Sequence, residues 1–379
     1  MAAPEVVVTG MGLVSALGSD VPSSWSRLLL GGTAIALRQP FEELPVIPLA
    51  MVGKYPAQLQ NLLNQAIDEA LRDAQLKQPL LDCAVVVGSS RSHQARLEQL
   101  AAKYREKRVL PEGEWLEALP YTPAMQTAAQ LGATGPVLAP MAACATGLWA
   151  IFQGWELIRR GQCDRALVGA VETPITRLTL AGFERMGALA QTGCYPFDVN
   201  RQGLVLGEGA AVLVLESAAA AQARNAKSYG KILGVGLTAD GHHLSAPDPQ
   251  RQSSEAAIKT CLRQADLLPS DVDYLHAHGT STQLNDAHEA ALIEQILPTH
   301  LPVSSTKGAT GHTLGASGAI GAIFCLMALR AQQLPPCVGL SQPAFALNLL
   351  RQATPHSAKV ALCLSFGFGG QNAVLALGR

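Results

Sequence analysis

Charged side chains and long apolar runs are both scarce in this sequence. Only 15% of its 379 residues are charged, 48% are hydrophobic, and the formal net charge is −1. A near-neutral chain has no basic surface for nucleic acid, and no apolar run approaches the roughly 18 residues of a membrane span. We therefore expect a soluble, cytoplasmic protein with no nucleic-acid partner and no membrane span. The low charged fraction also indicates a large core or subunit interface, and so an oligomer.

An export signal and paired cysteines are missing as well. The stretch MAAPEVVVTGMGLVSALG has neither the positive region nor the continuous apolar core of a signal peptide, and it predicts a strand that runs into a glycine turn. The eight cysteines are scattered and form no C-x-x-C pair, which argues against structural zinc. We expect free thiols in a reducing compartment.

The sequence does contain an internal repeat. Residues 61–90 and 253–281 both predict an amphipathic helix, a short connection, a strand and a turn of Gly with Ser or Thr. The stretch GPVLAPMAACATGLWAIF is matched by LPVSSTKGATGHTLGASGAIGAIF, and VLGEGAAVLVLES is matched by FGFGGQNAVLALG. We therefore predict an α/β protein of two duplicated halves, residues 1–217 and 218–379, that pack together.

Cys144 lies between two alanines, where an extended segment gives way to an amphipathic helix. A two-fold arrangement of the halves would bring this turn beside the region of His312. A cysteine in such a turn is either a small buried hydrophobe, the usual state of a free thiol, or a nucleophile at a helix N-terminus. In the second case we expect the backbone N–H groups and the helix dipole to favour the thiolate and lower its pKa.

The stretch HAHGTSTQLNDAHE contains two histidines and two threonines close together. His276 and His278 share one face of a predicted strand, and are either ordinary packed histidines or chemically active groups. The hydroxyls of Thr280 and Thr282 are suited to hold a polar ligand.

A metal site is an alternative use of the same stretch. It would add Asp286, His288 and Glu289 to His276 and His278. The spacing of these five residues matches none of the usual zinc signatures, so we expect no metal here.

Two further stretches place polar or aromatic residues among glycines. In SSTKGATGHTLGASGAIGAIF, Lys307 and His312 flank a turn of small residues, which either lets a ligand approach the backbone or simply caps a buried helix. In SFGFGGQNAVLAL, Phe368 lies between glycines, which indicates either a backbone that moves or a simple turn with a core aromatic.

Together, these ordered motifs resemble the β-ketoacyl-acyl carrier protein synthases of the KAS II type, within the thiolase-like fold. The similarity runs nearly end to end, through VVVTGMGLVSALG, AACATG, YPFDVNRQGLVLGEGAAVLVLE, HAHGTSTQLND, SSTKGATGHTLGASGA and SFGFGGQNAVL. It implies a layered αβαβα sandwich of two duplicated halves. It also implies an acyltransferase that condenses an acyl-cysteine with malonyl-acyl carrier protein, by a decarboxylative Claisen reaction, in a dissociated fatty-acid or polyketide pathway.

The resemblance assigns the chemistry to matching positions of this chain. It implies that Cys144 accepts the acyl chain as a thioester, and it favours the nucleophile interpretation of this residue. His278 and His312 would bind the thioester carbonyl of the malonyl substrate and stabilise the enolate, because N–H donors aimed at developing negative charge are among the largest catalytic effects. The backbone N–H groups of Cys144 and Phe368 would form the oxyanion hole, and Phe368 would also act as a gate.

The resemblance also implies a supporting set of residues. Lys307 would order the site together with Glu289, the acidic residue that follows the histidine motif. Thr280 and Thr282 match the residues that hold the phosphopantetheine arm of the carrier protein. No cofactor beyond that arm, which belongs to the substrate, is implied.

The implied partners are acyl carrier protein and a second, related subunit in a homodimer or heterodimer. The chain could be the active half of a heterodimer with a chain-length-factor subunit. Less favoured alternatives are a non-catalytic subunit, against which the intact cysteine and histidines argue, and a cysteine hydrolase of acyl-thioesters. The run KYREKR (103–108) is interpreted as a solvated helix face rather than a carrier-protein site.

The sequence also departs from typical KAS II members. The segments from about 90 to 120 and from 186 to 196 are short, which leaves the preferred acyl-chain length open. Gln371 stands where threonine is usual in the GFGG loop. We further interpret Asp198 and Arg201 as a structural ion pair near the site.

Overall fold

A computed structural model describes residues 3–108 and 113–379 of the chain, so residues 109–112 of the short segment lie outside the described residues. In chain order the strands are β1 (Val6–Ser15), β2 (Ala36–Arg38), β3 (Ile47–Leu49), β4 (Cys83–Gly88), β5 (Val137–Leu138), β6 (Arg165–Glu172), β7 (Gly209–Ser217), β8 (Gly230–Ala239), β9 (Tyr274–His276), β10 (Pro302–Ser304), β11 (Gln333–Leu334), β12 (Asn348–Leu349), β13 (Thr354–Pro355), β14 (Val360–Gly367) and β15 (Gln371–Gly378).

The α-helices are α1 (Val21–Leu29), α2 (Leu59–Asp73), α3 (Gln94–Lys107), α4 (Thr122–Leu131), α5 (Thr146–Arg159), α6 (Arg177–Arg185), α7 (Ala218–Ala223), α8 (Gln252–Gln264), α9 (Gln283–Ile296), α10 (Lys307–Thr310) and α11 (Ser317–Ala331). Short 3₁₀ turns lie at Leu116–Ala118, Pro269–Asp271 and Leu314–Ala316. The segment 103–108 is exposed, as expected for a solvated helix face.

The strands of the two halves follow the same order outward from the centre of the sheet. In the first half the order is β1, β7, β6, β4, β5, and in the second half it is β8, β15, β14, β9, β10, β12. Each half has two antiparallel pairings followed by parallel ones, and β1 pairs with β8 where the halves join. The predicted repeats occupy equivalent positions, since α2 and β4 correspond to α8 and β9. The exact domain boundary at residue 217 stays a prediction.

The helices complete a layered arrangement. Helix α2 packs on β1 and β7 from one outer side, and α8 packs on β8 and β15 from the other. Helices α5 and α11 contact each other between the two halves, with α5 against β4 and β6 and α11 against β14. This produces five alternating layers of helix and sheet, the arrangement that the family resemblance implies.

Glycine allows two of these layers to approach very closely. A Cβ at Gly12 of β1 would lie 1.9 Å from the carbonyl oxygen of Ala66 on α2. A Cβ at Gly147 of α5 would lie 2.6 Å from the backbone nitrogen of Ala319 on α11. The α5–α11 contact is therefore set by backbone atoms, and it fixes the relative position of the two turns that precede these helices.

The central helix α11 belongs to the core. Within the described residues, Leu314–Ala331 is the one helical stretch long and apolar enough to cross a membrane, and 83% of it is buried inside the fold. Its residues pack against α5 and the second half of the sheet. We therefore assign it as a core helix.

Candidate active site

Cys144 lies in a strained turn just before α5. The helix begins at Thr146, two residues after the cysteine. Ala143 has φ of 46°, a left-handed conformation that a residue with a Cβ adopts only when its surroundings enforce it. Thr146 holds the turn, because its Oγ1 accepts from Ala142 N at 2.9 Å and donates to Ala143 O at 2.7 Å. The turn thereby presents Cys144 to the interior between the halves.

Cys144 meets two histidines at this point. The thiol sulfur and one ring nitrogen each of His278 and His312 all lie within 4.8 Å of one another. The two rings are edge to face, with centroids 5.4 Å apart. All three side chains are buried. The pairing of distant motifs predicted from sequence is therefore present as a cluster of three reactive side chains.

Lys307 and Glu289 hold His278 by different contacts. The Lys307 ammonium lies 3.4 Å from His278 Nδ1 and also donates to the His278 carbonyl oxygen. Glu289 accepts hydrogen bonds from His278 N at 2.6 Å and Gly279 N at 2.7 Å. Within the described residues Lys307 and Glu289 form no ion pair, so Glu289 orders the histidine turn through its backbone. Burial raises the pKa of Glu289 to about 7 and lowers the pKa of Lys307.

His312 is held by its backbone and by a hydroxyl. Its N–H donates to Val205 O at 2.6 Å, and its Nδ1 lies 3.0 Å from Ser317 Oγ. Burial, followed by the charge of Lys307, lowers the pKa of both His278 and His312 well below the usual value. Both imidazoles are therefore neutral at neutral pH, and each carries a single N–H.

The glycine loop brings Phe368 to the thiol. Phe368 belongs to the same apolar cluster as Cys144, and a Cβ at Gly367 would lie 3.1 Å from Cys144 N. Ser365 Oγ donates to Cys144 O at 2.8 Å. The loop then turns through Gly369 and Gly370, which both have positive φ. The glycine loop therefore packs directly against the backbone of the Cys144 turn.

The expectation of a lowered pKa for Cys144 is wrong. Burial raises the pKa of this thiol to about 11, and the charge of Lys307 and the Phe368 N–H offset only part of that effect. Two N–H groups at the helix terminus are already used, because those of Ala145 and Thr146 donate to Ala142 O and Ala143 O. Desolvation of a charged sulfur therefore exceeds the stabilisation available from the helix.

A cavity of about 280 Å³ opens onto this cluster. Thr280 and Thr282 line it, with their hydroxyl oxygens 2.9 Å apart, and Thr282 also caps α9 by accepting from Asn285 N. The apolar part of the wall is made by Phe183, Met186, Ala188, Leu204, Leu314 and Phe368. The Phe368 ring lies 6.1 Å from that of Phe183, centroid to centroid. All seven predicted catalytic, oxyanion and arm-binding residues therefore lie at or next to one cavity.

Other sequence interpretations have different outcomes. His276 lies 3.0 Å from Thr306 Oγ1, and the Asp286 carboxylate accepts from Phe197 N and Ser281 N. Within the described residues, the atoms able to ligate a metal that lie close together are those of Cys144, His278 and His312, a group that shares only His278 with the alternative metal set. The Asp198–Arg201 ion pair is wrong: the Asp198 carboxylate accepts from residues 341 and 342, while Arg201 donates to the Asp198 carbonyl.

Sequence reasoning missed several buried groups near the cluster. Ser317 and Ser365 contact His312 and Cys144, yet serines in small-residue motifs gave no signal of this role. Glu172, at the end of β6, is fully buried and accepts from Ser90 N. A carboxylate at the end of an otherwise apolar strand was the available signal for it.

Two family profiles match the sequence. The β-ketoacyl synthase N-terminal domain matches residues 54–221, and the β-ketoacyl synthase C-terminal domain matches residues 229–341. The chain is 35% identical to 3-oxoacyl-[acyl-carrier-protein] synthase 2 of Staphylococcus aureus (strain COL) over 406 aligned positions, which cover 98% of this chain and 97% of that protein. The alignment is longer than this chain, so it contains gaps on this side.

Solved structures agree in fold. One is a chain of a complex between a type II polyketide synthase acyl-carrier protein and its ketosynthase bound to the hexaketide, with a TM-score of 0.93, 26% identity and coverage of 100% of this chain and 99% of that one. Another is the ishigamide ketosynthase/chain length factor, with a TM-score of 0.92, 27% identity and full coverage of both chains. These similarities confirm the expected thiolase-like α/β fold.

Proposed function

The chain belongs to the β-ketoacyl synthase family, and from this premise we propose that it is a 3-oxoacyl-acyl carrier protein synthase. The observation that carries the proposal is the cluster of Cys144, His278 and His312 at one cavity, within 4.8 Å of one another. A nucleophilic thiol beside two neutral N–H donors suits acyl transfer followed by enolate chemistry.

The first half-reaction loads the enzyme. The Cys144 sulfur attacks the thioester carbonyl of an acyl-carrier protein, the new C–S bond forms, and the phosphopantetheine thiolate leaves with the proton released by Cys144. The tetrahedral oxyanion is stabilised by the N–H groups of residues 144 and 368. Thr280 and Thr282 hold the arm of the carrier protein, and Phe368 gates access to the thiol.

The second half-reaction extends the chain. The bond between the malonyl carboxylate and C2 breaks, and carbon dioxide leaves. The electron pair of that bond forms an enolate, whose oxygen accepts hydrogen bonds from the N–H groups of His278 and His312. C2 then attacks the acyl-Cys144 carbonyl, the C–C bond forms, the C–S bond breaks, and the departing Cys144 thiolate takes up one proton from solvent. The protein uses no cofactor of its own, since both substrates arrive on the carrier's arm.

We further propose a cytoplasmic dimer that receives its substrates from acyl carrier protein. The edge strand β5 exposes both of its residues, and Met125, Tyr121 and Met141 nearby are also exposed. An apolar face beside an open sheet edge favours a subunit contact. The second subunit is either an identical chain or a chain length factor, the arrangement named for one of the solved neighbours.

Mass spectrometry of products from acyl- and malonyl-loaded carrier proteins tests the reaction. We expect a 3-oxoacyl-carrier product and one carbon dioxide for each malonyl group consumed. Release of free fatty acid without malonyl consumption would instead identify a thioester hydrolase. No reaction alone, but condensation after adding a chain-length-factor subunit, would assign the chain as the ketosynthase half of a heterodimer.

A further inference from the structure

Two buried hydroxyls, those of Ser317 and Thr313, are hydrogen-bonded in series to Nδ1 of His312. Ser317 Oγ lies 3.0 Å from His312 Nδ1 and 3.0 Å from Thr313 Oγ1. All three side chains are buried, with exposed fractions of 7% for Ser317 and 1% for the other two. Ser317 is the first residue of α11, so its position is tied to the helix that packs against α5. The ring nitrogen on the far side of His312 is the one left for the cavity.

The number of hydroxyl hydrogens decides which group donates and which accepts in each of these two hydrogen bonds. If His312 carried its hydrogen on Nδ1, Ser317 would accept it and donate to Thr313, and the Thr313 hydroxyl hydrogen would need another acceptor. Among the described residues, Thr313 Oγ1 has no partner other than Ser317. A buried hydroxyl hydrogen without an acceptor is unfavourable, because it gives up its hydrogen bond to water and gains none in return. In the opposite direction Thr313 donates to Ser317 and Ser317 donates to His312 Nδ1. Both hydroxyl hydrogens then have an acceptor.

We propose that Thr313 and Ser317 form a hydroxyl relay that holds His312 in the tautomer with hydrogen on Nε2, facing the cavity. Ser317 is thus a positioning residue, and Thr313 acts through it. The proposal deepens the proposed function, because only an Nε2–H can donate to the enolate oxygen. It concerns the protein's own hydrogen bonds, so it can be tested without any substrate.

His278 is held in its tautomer by a different kind of contact. There the Lys307 ammonium lies on the Nδ1 side, and a cation with no acceptor capacity excludes hydrogen from that nitrogen. His312 reaches the same tautomer through neutral groups. The titratable groups that face His312 are therefore Cys144, His278 and Lys307, and the relay adds no charge to them.

The backbone around the relay is fixed on both sides. Gly207 N donates to His312 O at 3.0 Å, and Ala316 N donates to Thr313 O at 2.9 Å. The Thr313 methyl lies beside Gly207, 3.3 Å from the point where a Cβ at that glycine would be. The methyl makes this contact and the hydroxyl makes the bond to Ser317, so removing the methyl alone should harm the relay less than removing the hydroxyl.

The first test uses malonyl-carrier decarboxylation kinetics. We expect Ser317→Ala to lower kcat by about tenfold, which is about 1.4 kcal/mol of transition-state stabilisation, with KM changed less than about twofold. Thr313→Val keeps the side-chain shape but removes the hydroxyl, so it should also lower kcat. Thr313→Ser keeps the hydroxyl, so its kcat should be close to that of the wild type. Ser24→Ala and Thr127→Val, which remove buried hydroxyls in α1 and α4, are matched controls that should leave kcat unchanged.

The second test reads the tautomer directly. In protein labelled with ¹⁵N-histidine, the signals of His312 are assigned by their loss in His312→Gln. We expect an unprotonated Nδ1 and a protonated Nε2 in the wild type, and loss of this pattern in Ser317→Ala. A protonated Nδ1 in the wild type, or an unchanged pattern and kcat in Ser317→Ala, would overturn the relay. If the wild type does not decarboxylate malonyl-carrier protein at all, the proposed function fails while the tautomer is still measured.

Discussion

His278 and His312 meet edge to face, with ring centroids 5.4 Å apart, and both lie in the second half of the chain. The thiol that completes their cluster, Cys144, comes from the first half. Neither half therefore contains a complete site. The packing of α5 against α11 brings the turns of Cys144 and His312 together, and His278 joins them from the end of β9.

Replacement of either histidine should separate the two half-reactions. We expect His278→Ala and His312→Ala to lower malonyl decarboxylation by about 10²- to 10³-fold, the usual cost of removing one oxyanion donor. Acylation of Cys144 should persist, because it depends on the thiol and on the N–H groups of Cys144 and Phe368. Acyl-enzyme formation followed by intact-protein mass spectrometry, beside a carbon dioxide assay, measures both steps. Normal condensation in either variant would contradict this division of roles.

Replacement of the nucleophile should have the opposite effect. Cys144→Ala should abolish acyl transfer, since no thioester can form. Decarboxylation of malonyl-carrier protein should survive, because the histidine pair stabilises the enolate without the thiol. The same two assays apply, and condensation at the wild-type rate in Cys144→Ala would rule out the assignment of this residue.

Alkylation should identify Cys144 as the most reactive thiol, through access rather than through ionisation. Of the eight cysteines, Cys144 is the one that lines the cavity. Cys163 is half exposed, so the experiment uses a Cys163→Ser background to remove that competitor. Substoichiometric iodoacetamide should label Cys144 first, and a long acyl-carrier substrate should protect it.

The pH dependence of that alkylation tests the buried environment. Because burial raises the pKa of Cys144 from 9.0 to about 11, the thiolate fraction and the labelling rate should keep rising above pH 9. A rate that levels off near pH 9 would contradict the raised pKa. Peptide mapping that finds another cysteine labelled first, while activity persists, would contradict the assignment of Cys144 itself.

Glu172 should make the stability of the fold depend on pH. Burial raises its pKa from 4.5 to about 7, and its Oε2 has no hydrogen-bond partner among the described residues. Between these values the unfolded chain releases a proton that the folded chain keeps. The free energy of unfolding therefore falls as pH rises through this window, by about 3 kcal/mol, and levels off above pH 7.

Glu172→Gln mimics the protonated acid. It should remove the part of the pH dependence of the free energy of unfolding that Glu172 causes. Denaturant unfolding of both proteins between about pH 5 and pH 8 gives the comparison, since Asp286 and Glu289 titrate alike in each and cancel in the difference. Parallel pH dependence in the two proteins would show that Glu172 does not titrate in this range.

The sequence predicted which motifs meet at the cavity. It did not predict how burial changes the pKa of the groups in them. The order of small-residue turns before helices predicted that Cys144 and His312 lie close together. The direction of the Cys144 pKa shift was wrong, because desolvation depends on what covers the sulfur and on whether the first helical N–H groups are already bonded. Asp198 and Arg201 are three residues apart, but the carboxylate faces Ser341, a contact that local spacing does not reveal.

Residues that act through another side chain were the hardest to predict. Ser317 and Thr313 differ in no visible way from other small polar residues around them. Their roles depend on hydroxyl direction behind His312, which requires coordinates. The two-fold plan, by contrast, depends on hydrophobic periodicity repeated along the chain, and such patterns are visible without any coordinates.

The contact of Gly147 with Ala319 has a consequence for engineering. It holds the turns of Cys144 and His312 by backbone atoms, whereas much of the apolar cavity wall comes from α6, the segment 186–188 and Leu204. This part of the wall is separate from the reactive centre, although Leu314 and Phe368 belong to both. Side chains of the wall can be exchanged to alter the accepted acyl group while the chemistry is retained, but any side chain added at residue 147 would push the two halves of the catalyst apart.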